Sequence, residues 1–202
     1  SLHDALPICG RYYMDEETYL DIQKIVSEVE VSFGRELITG DIHPTEAAPV
    51  IVSPAHKKLQ LCKKAWGYPE WQNKGVIFNA RVESVTEKRM FQNGIHYHRT
   101  VIPAAGFYEW SRLKEKNTFY RKDRTPLYLA GFYDRFGKED RFVILTTAAN
   151  ASMSPVHDRM PLILEKDQII PWLWDEKCAK EILSQTPALL ERYVPYEQQR
   201  LF

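Results

Sequence analysis

One α+β domain with much mixed strand is the fold this sequence predicts, on three observations. The chain has 202 residues, enough for one core-bearing domain and too few for two. Its 44% apolar and 27% charged residues give the balance of a globular protein rather than a disordered one. Strand-like runs are interspersed with a few helically spaced segments, without internal repeats or low-complexity tracts.

Element by element, Asp15 to Val29 starts with acidic residues, and Tyr19, Ile22, Ile25, Val26 and Val29 recur at three and four residues, which predicts a helix. Pro44 and Pro49 punctuate an extended stretch that ends in Ala48 to Val52, read as a short buried strand. Gln60 to Trp66 reads as another strand, closed by a Gly67-Tyr68-Pro69 turn. Val76 to Arg81 is expected to begin a helix at its end. Arg99 to Tyr108, Leu127 to Phe132 and Phe142 to Thr147 are strand-like, and Asp134 to Asp140 looks like a hairpin turn. Glu115 to Lys122 is polar and expected to be a loop. Asp167 to Trp174 opens onto a helix at Cys178 to Ser184, and Pro187 to Tyr193 also has helical patterning.

The bulk numbers narrow the function. No apolar run approaches the roughly 18 residues that cross a bilayer. Lys+Arg and Asp+Glu both total 27, so any nucleic-acid binding must come from a local patch rather than from overall charge. The odd set Cys9, Cys62 and Cys178 lacks a C-x-x-C spacing, which argues against a disulfide framework or zinc knuckle and fits a reducing cytoplasm. Ser1 to Ile8 has neither the basic start nor the apolar core of a signal peptide. It is expected to be foreign to the natural protein or a leader that must be removed, leaving 9–202 as the domain. His96 with His98 is a weak pair among scattered histidines, and nothing suggests a metal or an organic cofactor.

Five segments carry residues suited to chemistry, each with an ordinary structural alternative. In Cys9-Gly10-Arg11-Tyr12, a thiol beside glycine and arginine is open to approach and in a positive field, or is simply a small buried hydrophobe. Trp66 and Trp71 stack on bases or fill a core. In Asn79-Ala80-Arg81, asparagine supplies a donor and an acceptor and arginine can grip a phosphate, or the pair caps a helix. Glu109, wedged between Tyr108 and Trp110 after an apolar run, is a desolvated acid/base or a solvent-facing edge residue. His157, between a proline turn and Asp158-Arg159-Met160-Pro161, is a proton shuttle or a structural histidine.

Together, Cys9-Gly10-Arg11-Tyr12, Asn79 to Glu83, Pro103 to Trp110 and His157 to Pro161 resemble the SOS response-associated peptidase (SRAP) family, in that family's order and over most of the chain. The resemblance implies a partly barrel-like β-sheet core flanked by helices. It implies abasic sites in single-stranded DNA as the partner, in the cytoplasm and on the nucleoid if the source is bacterial, handled by a monomer. Carried over by motif, Cys9 forms a thiazolidine crosslink once it is the N-terminal residue, Asn79 positions the reacting groups, Glu109 handles protons, and His157 assists ring opening and imine chemistry. Arg11, Arg81 and Arg159 would hold DNA, Trp66 and Trp71 would line the strand's path, and Pro44 would lie where its backbone turns. With Ile8 attached, the Cys9 nitrogen is an amide and cannot form an imine. Two alternatives use the same residues: a thiol peptidase, acting on its own leader through Cys9, and a non-covalent single-strand binding module.

Overall fold

The computed structural model describes residues 8–26, 28–29, 38–72 and 74–195. The strands are β1 (Tyr12–Met14), β2 (Glu28–Val29), β3 (Gly40–Ile42), β4 (Ala47–Ala55), β5 (Lys58–Trp66), β6 (Tyr68–Pro69), β7 (Val76–Ile77), β8 (Asn79–Arg81), β9 (Arg99–Ala104), β10 (Gly106–Trp110), β11 (Lys116–Tyr120), β12 (Leu127–Phe136), β13 (Glu139–Ala148), β14 (Arg159–Pro161), β15 (Ile163–Leu164) and β16 (Glu191–Tyr193). The helices are α1 (Glu16–Ile25), α2 (Arg89–Tyr97), α3 (Ile169–Trp174) and α4 (Glu176–Leu183).

A closed ring of strands forms the core. β13, β12, β9, β4 and β5 follow one another as antiparallel neighbours, and β5 returns to β13 in parallel through Arg141↔Ala65 and Phe142↔Trp66. Closure removes the sheet edges that would otherwise expose unpaired backbone. Register puts Leu61 and Val101 on one face of the ring and Val50, Leu129 and Ile144 on the other, and all five are 0% exposed, so both faces are covered. A five-stranded sheet, ordered β16-β11-β10-β1-β3, packs at one side. Among the described residues no helix is long and apolar enough to cross a membrane.

The helices attach through specific bonds. Asp15 caps α1 by accepting from the Thr18 N–H at 2.8 Å. Arg99 ties two helix ends to the barrel, donating to the carbonyls of Ile95 and His96 at the end of α2 and of Trp172 in α3. The Trp172 indole N–H in turn donates to the Thr100 carbonyl at 3.0 Å.

The mixed α+β class and barrel-like core stand, while four segment expectations change. The first helix stops at Ile25, because Val26 turns extended and Val29 joins β2 beside Leu61 of β5. Asn79–Arg81 is strand β8, recruited by parallel pairing to β13, and begins no helix. Glu115 to Lys122 holds strand β11, whose Asn117 and Phe119 face inward and whose Phe119 ring stacks on Phe107 at 5.3 Å. Pro187 to Tyr193 is extended and ends in β16, because pairing to β11 outweighs its helical spacing.

Gly131 of β12 shows how tightly the barrel closes: a Cβ there would sit 2.4 Å from the Val143 carbonyl oxygen and 2.5 Å from Ile102 Cδ1. Gly131→Ala is expected to destabilise the fold by about 1–3 kcal/mol in urea denaturation, as overpacking does. An unchanged midpoint would mean that the barrel relaxes more freely than its packing implies.

Candidate active site

Four separate segments converge at the mouth of the barrel. The turn before β1 delivers Cys9, β8 delivers Asn79, β10 delivers Glu109, and the chain entering β14 delivers His157. Cys9 is 0% exposed and its backbone N–H donates to Glu109 Oε2 at 2.8 Å. The Asn79 side-chain N–H donates to the carbonyl of Ile8, the residue bonded to Cys9. Parallel pairing of Asn79 with Ile144 and of Arg81 with Thr146 fixes β8 at this depth. Asn150 pins the loop that carries His157, accepting from Ser152 and Met153 and donating to the carbonyls of Pro187 and Ala188.

The electrostatics follow from burial. Glu109 is 2% exposed, and desolvation pushes its carboxyl above the ordinary carboxylate value, while the Cys9 N–H bond and the neighbouring His157 pull the other way. Burial, and then the Glu109 charge, push the Cys9 thiol well above its ordinary value. The thiol is therefore neutral in the resting protein, contrary to the lowered value expected from Arg11 nearby. The Arg11 guanidinium instead lies over the Trp110 ring at 5.1 Å and 3.8 Å from Asp41. The His157 Nδ1 lies 3.0 Å from the Arg159 backbone nitrogen and 3.0 Å from Asp158 Oδ1, which fixes the ring in the loop.

Cys9 has φ +52, a left-handed conformation that is strained for any residue with a Cβ. Glu109 and Asn79 hold the peptide before Cys9 on both sides, through its N–H and its carbonyl. A cleft of about 290 Å³ opens beside them, lined by Ile8, Phe78, Asn79, Arg81, Thr146 and His157 among others. A larger open cleft of about 470 Å³, around Arg121 and Asp123, contains no cysteine, serine or histidine.

The remaining expected DNA contacts divide. Arg81 is exposed and Trp71 is 97% exposed, so both are available to a strand. Pro44 is half-buried in the turn whose Thr45 N–H donates to the Trp66 carbonyl at 2.8 Å. Trp66 itself is 0% exposed, so it offers no face to a base. It is edge-on to Tyr12 at 5.1 Å and to Phe78 at 5.6 Å, and its indole N–H donates to the Phe78 carbonyl. Its role is to shape the wall that carries Asn79. Arg159 is likewise turned inward, clamped on Glu83 through both guanidinium nitrogens at 2.6 and 2.9 Å and donating to the Thr146 carbonyl. It braces β8 against β13 and β14. One group escaped the sequence reading: the Tyr12 hydroxyl, which is buried without a hydrogen-bond partner among the described residues. Tyr12 lay inside the first motif, but no spacing marks which of its neighbours turns inward.

The geometry sets the backbone nitrogen of one buried cysteine on a buried carboxyl, beside a cleft lined by Asn79 and His157. The chain belongs to the SOS response associated peptidase (SRAP) family, whose profile matches residues 8–199. It is 29% identical over 184 residues to the abasic site processing protein YedK of Escherichia coli (strain K12), covering 86% of this chain and 83% of that one. It is 27% identical over 173 residues to the abasic site processing protein HMCES of Xenopus tropicalis, covering 64% of this chain and 52% of that one. The fold is shared with a crystal structure of a Bordetella bronchiseptica protein at a TM-score of 0.77, over 92% of this chain and 99% of that one, at 22% identity.

Because the Glu109 carboxyl is raised in the folded state, the native protein favours its protonated form. The wild type therefore loses stability relative to a non-titrating variant as pH rises from the ordinary carboxylate range through the raised value. Glu109→Gln is expected to melt a few degrees above wild type at neutral pH, with the gain vanishing towards pH 4. A variant less stable at neutral pH would show that the charged carboxylate is a net stabiliser.

Proposed function

We propose that this protein captures abasic sites in single-stranded DNA by a covalent bond through Cys9, once Cys9 is the N-terminal residue. The observation that carries the reading is the 2.8 Å contact between the Cys9 nitrogen and buried Glu109, whose charge also acts on the Cys9 thiol. A free α-amine at that nitrogen has a reference pKa of about 7.7–8.0, so a sizeable neutral fraction exists near neutral pH.

The chemistry runs in an order that the pocket supports. The neutral amine adds to the aldehyde carbon of the opened sugar, and loss of water gives an imine. Glu109, its carboxyl raised towards the working range, collects the amine proton and returns it to the departing oxygen. His157 is the proton carrier for opening the sugar ring. The Cys9 thiol, held neutral by burial, then adds across the imine. Its sulfur bonds the carbon, its proton goes to the nitrogen, and a five-membered thiazolidine closes with the high effective molarity of an intramolecular step. Asn79 orients the reacting groups from β8, Arg11 and Arg81 hold flanking phosphates, and Trp71 offers a surface for a base. The relatives are abasic site processing proteins, which agrees with this substrate.

The same atoms support removal of the preceding residues. The Asn79 amide polarises the Ile8 carbonyl, and attack on it by the Cys9 thiol exchanges the amide for a thioester that water hydrolyses. The thiol proton goes to the freed amine, which rests against Glu109. Cutting this bond also abolishes the strained φ torsion of Cys9, worth of order 1–3 kcal/mol.

Intact-mass measurement on a form beginning at Cys9, incubated with single-stranded DNA carrying one abasic site, tests the reading. The expected product is protein plus DNA less one water, absent for Cys9→Ala and for a form that retains Ile8. Glu109→Gln should slow its formation by about 10²-fold or more. With a free cysteine terminus confirmed by mass, the absence of any adduct would overturn covalent capture.

A further inference from the structure

Glu109 faces the pocket, so its neighbours Tyr108 and Trp110 face the opposite side of the five-stranded sheet. Register places Tyr13 of β1 opposite Gly106, and Tyr108 opposite Thr118, so Tyr13, Tyr108, Trp110 and, on β11, Lys116 and Tyr120 share this outer face. The aromatics are only partly buried.

Their rings form a connected floor. Tyr13 and Tyr108 stack at 5.1 Å, and Trp110 meets Tyr108 edge-on at 6.5 Å. Gly106 makes the stack possible: a Cβ there would lie 2.6 Å from the Tyr13 hydroxyl oxygen and 2.7 Å from its Cε1. Cations already sit on these rings. Lys116 Nζ is 3.6 Å from the Tyr108 centroid, and the Arg124 guanidinium is 3.6 Å from that of Tyr120. Carboxylates also stand on this face: Asp41, paired with Tyr13, accepts from the Tyr108 hydroxyl at 3.0 Å and lies near Arg11, and Glu191 pairs with Tyr120.

We propose that this outer face is a stacking track for single-stranded nucleic acid, continuing the strand away from the nucleotide held at Cys9. Two features single out that occupant. Flat aromatic rings interleaved with cations match a polymer of flat bases and phosphates, without sequence readout. The face is also continuous with the candidate site, because Arg11 belongs to the Cys9 turn, lies over Trp110, and its carbonyl accepts the Tyr108 N–H at 3.0 Å. The inference rests on the abasic-site reading for the direction of the strand, but its test does not depend on capture.

Fluorescence anisotropy with the full chain retaining Ile8 measures binding to labelled oligothymidylates of about 5 and about 15 nucleotides, free of abasic sites. The longer oligomer should bind more tightly to wild type. Tyr120→Ala combined with Arg124→Ala should weaken the longer oligomer about tenfold and leave the shorter one unchanged. Lys116→Ala with Arg124→Ala should reduce the salt dependence of the longer one by a slope of about 1.4. Should the double variant not fold, Lys116→Glu carries the same expectation for the longer oligomer. Equal affinity of variants and wild type for the longer oligomer would overturn the track. So would equal binding of a base-free deoxyribose-phosphate polymer, or of polyglutamate, which would point to a simple cationic patch or an acidic peptide partner. Adduct formation with a short abasic oligomer, read in parallel on the form beginning at Cys9, separates the outcomes. An adduct without a length effect removes the track alone, and a length effect without an adduct removes capture alone.

Discussion

Burying a carboxyl against a backbone nitrogen is the constraint on which this structure turns. Glu109 has almost no exposed surface, and the N–H of Cys9 donates to it at 2.8 Å, with a second backbone donor at Trp110. A buried carboxylate needs such a partner, and without one the cost is several kcal/mol. The contact therefore binds the turn before β1 to the middle of β10 and gives the five-stranded sheet a reason to pack where it does. The same desolvation moves both the carboxyl and the thiol upward. One physical cause thus sets the position and the protonation states of the two groups.

Around that contact, the structure spends its larger side chains on rigidity. Trp66 fills the wall behind Asn79, and Arg159 locks β8 to its neighbours through Glu83. Both act at one remove from the cysteine, by limiting how far the β8 backbone can shift. Groups that have to meet within hydrogen-bond reach depend on such support, because an error of about 1 Å is enough to misalign them.

The residue types of the site could be read from the sequence, whereas their orientations could not. Cys9, Asn79, Glu109 and His157 all come close together. Trp66 and Arg159 stood in the same motif neighbourhoods, yet both point inward. A tryptophan that stacks on a base and one that fills a core look alike in a linear string, and so do an arginine for phosphate and an arginine for glutamate. β11 was hidden for a related reason: its alternation runs through Asn117, a polar residue at an inward position, bonded to the Glu115 carbonyl. The spacing of Pro187 to Tyr193 suggested a helix because strand pairing to β11 is a tertiary effect that no local pattern encodes. Long barrel strands such as β5, β12 and β13 were legible because their burial repeats within the segment itself.

The four segments that build the pocket are spread along nearly the whole chain, and β13 is held between β8, from its first half, and β14, near its end. Contacts of such sequence separation form late, after most of the chain entropy has been lost. During synthesis the cysteine emerges first, and the loop that carries His157 emerges only after the barrel strands. The cleft is therefore incomplete until β14 docks on β13: a chain cut short before His157 would keep the five strands of the ring and still lack one wall of the site.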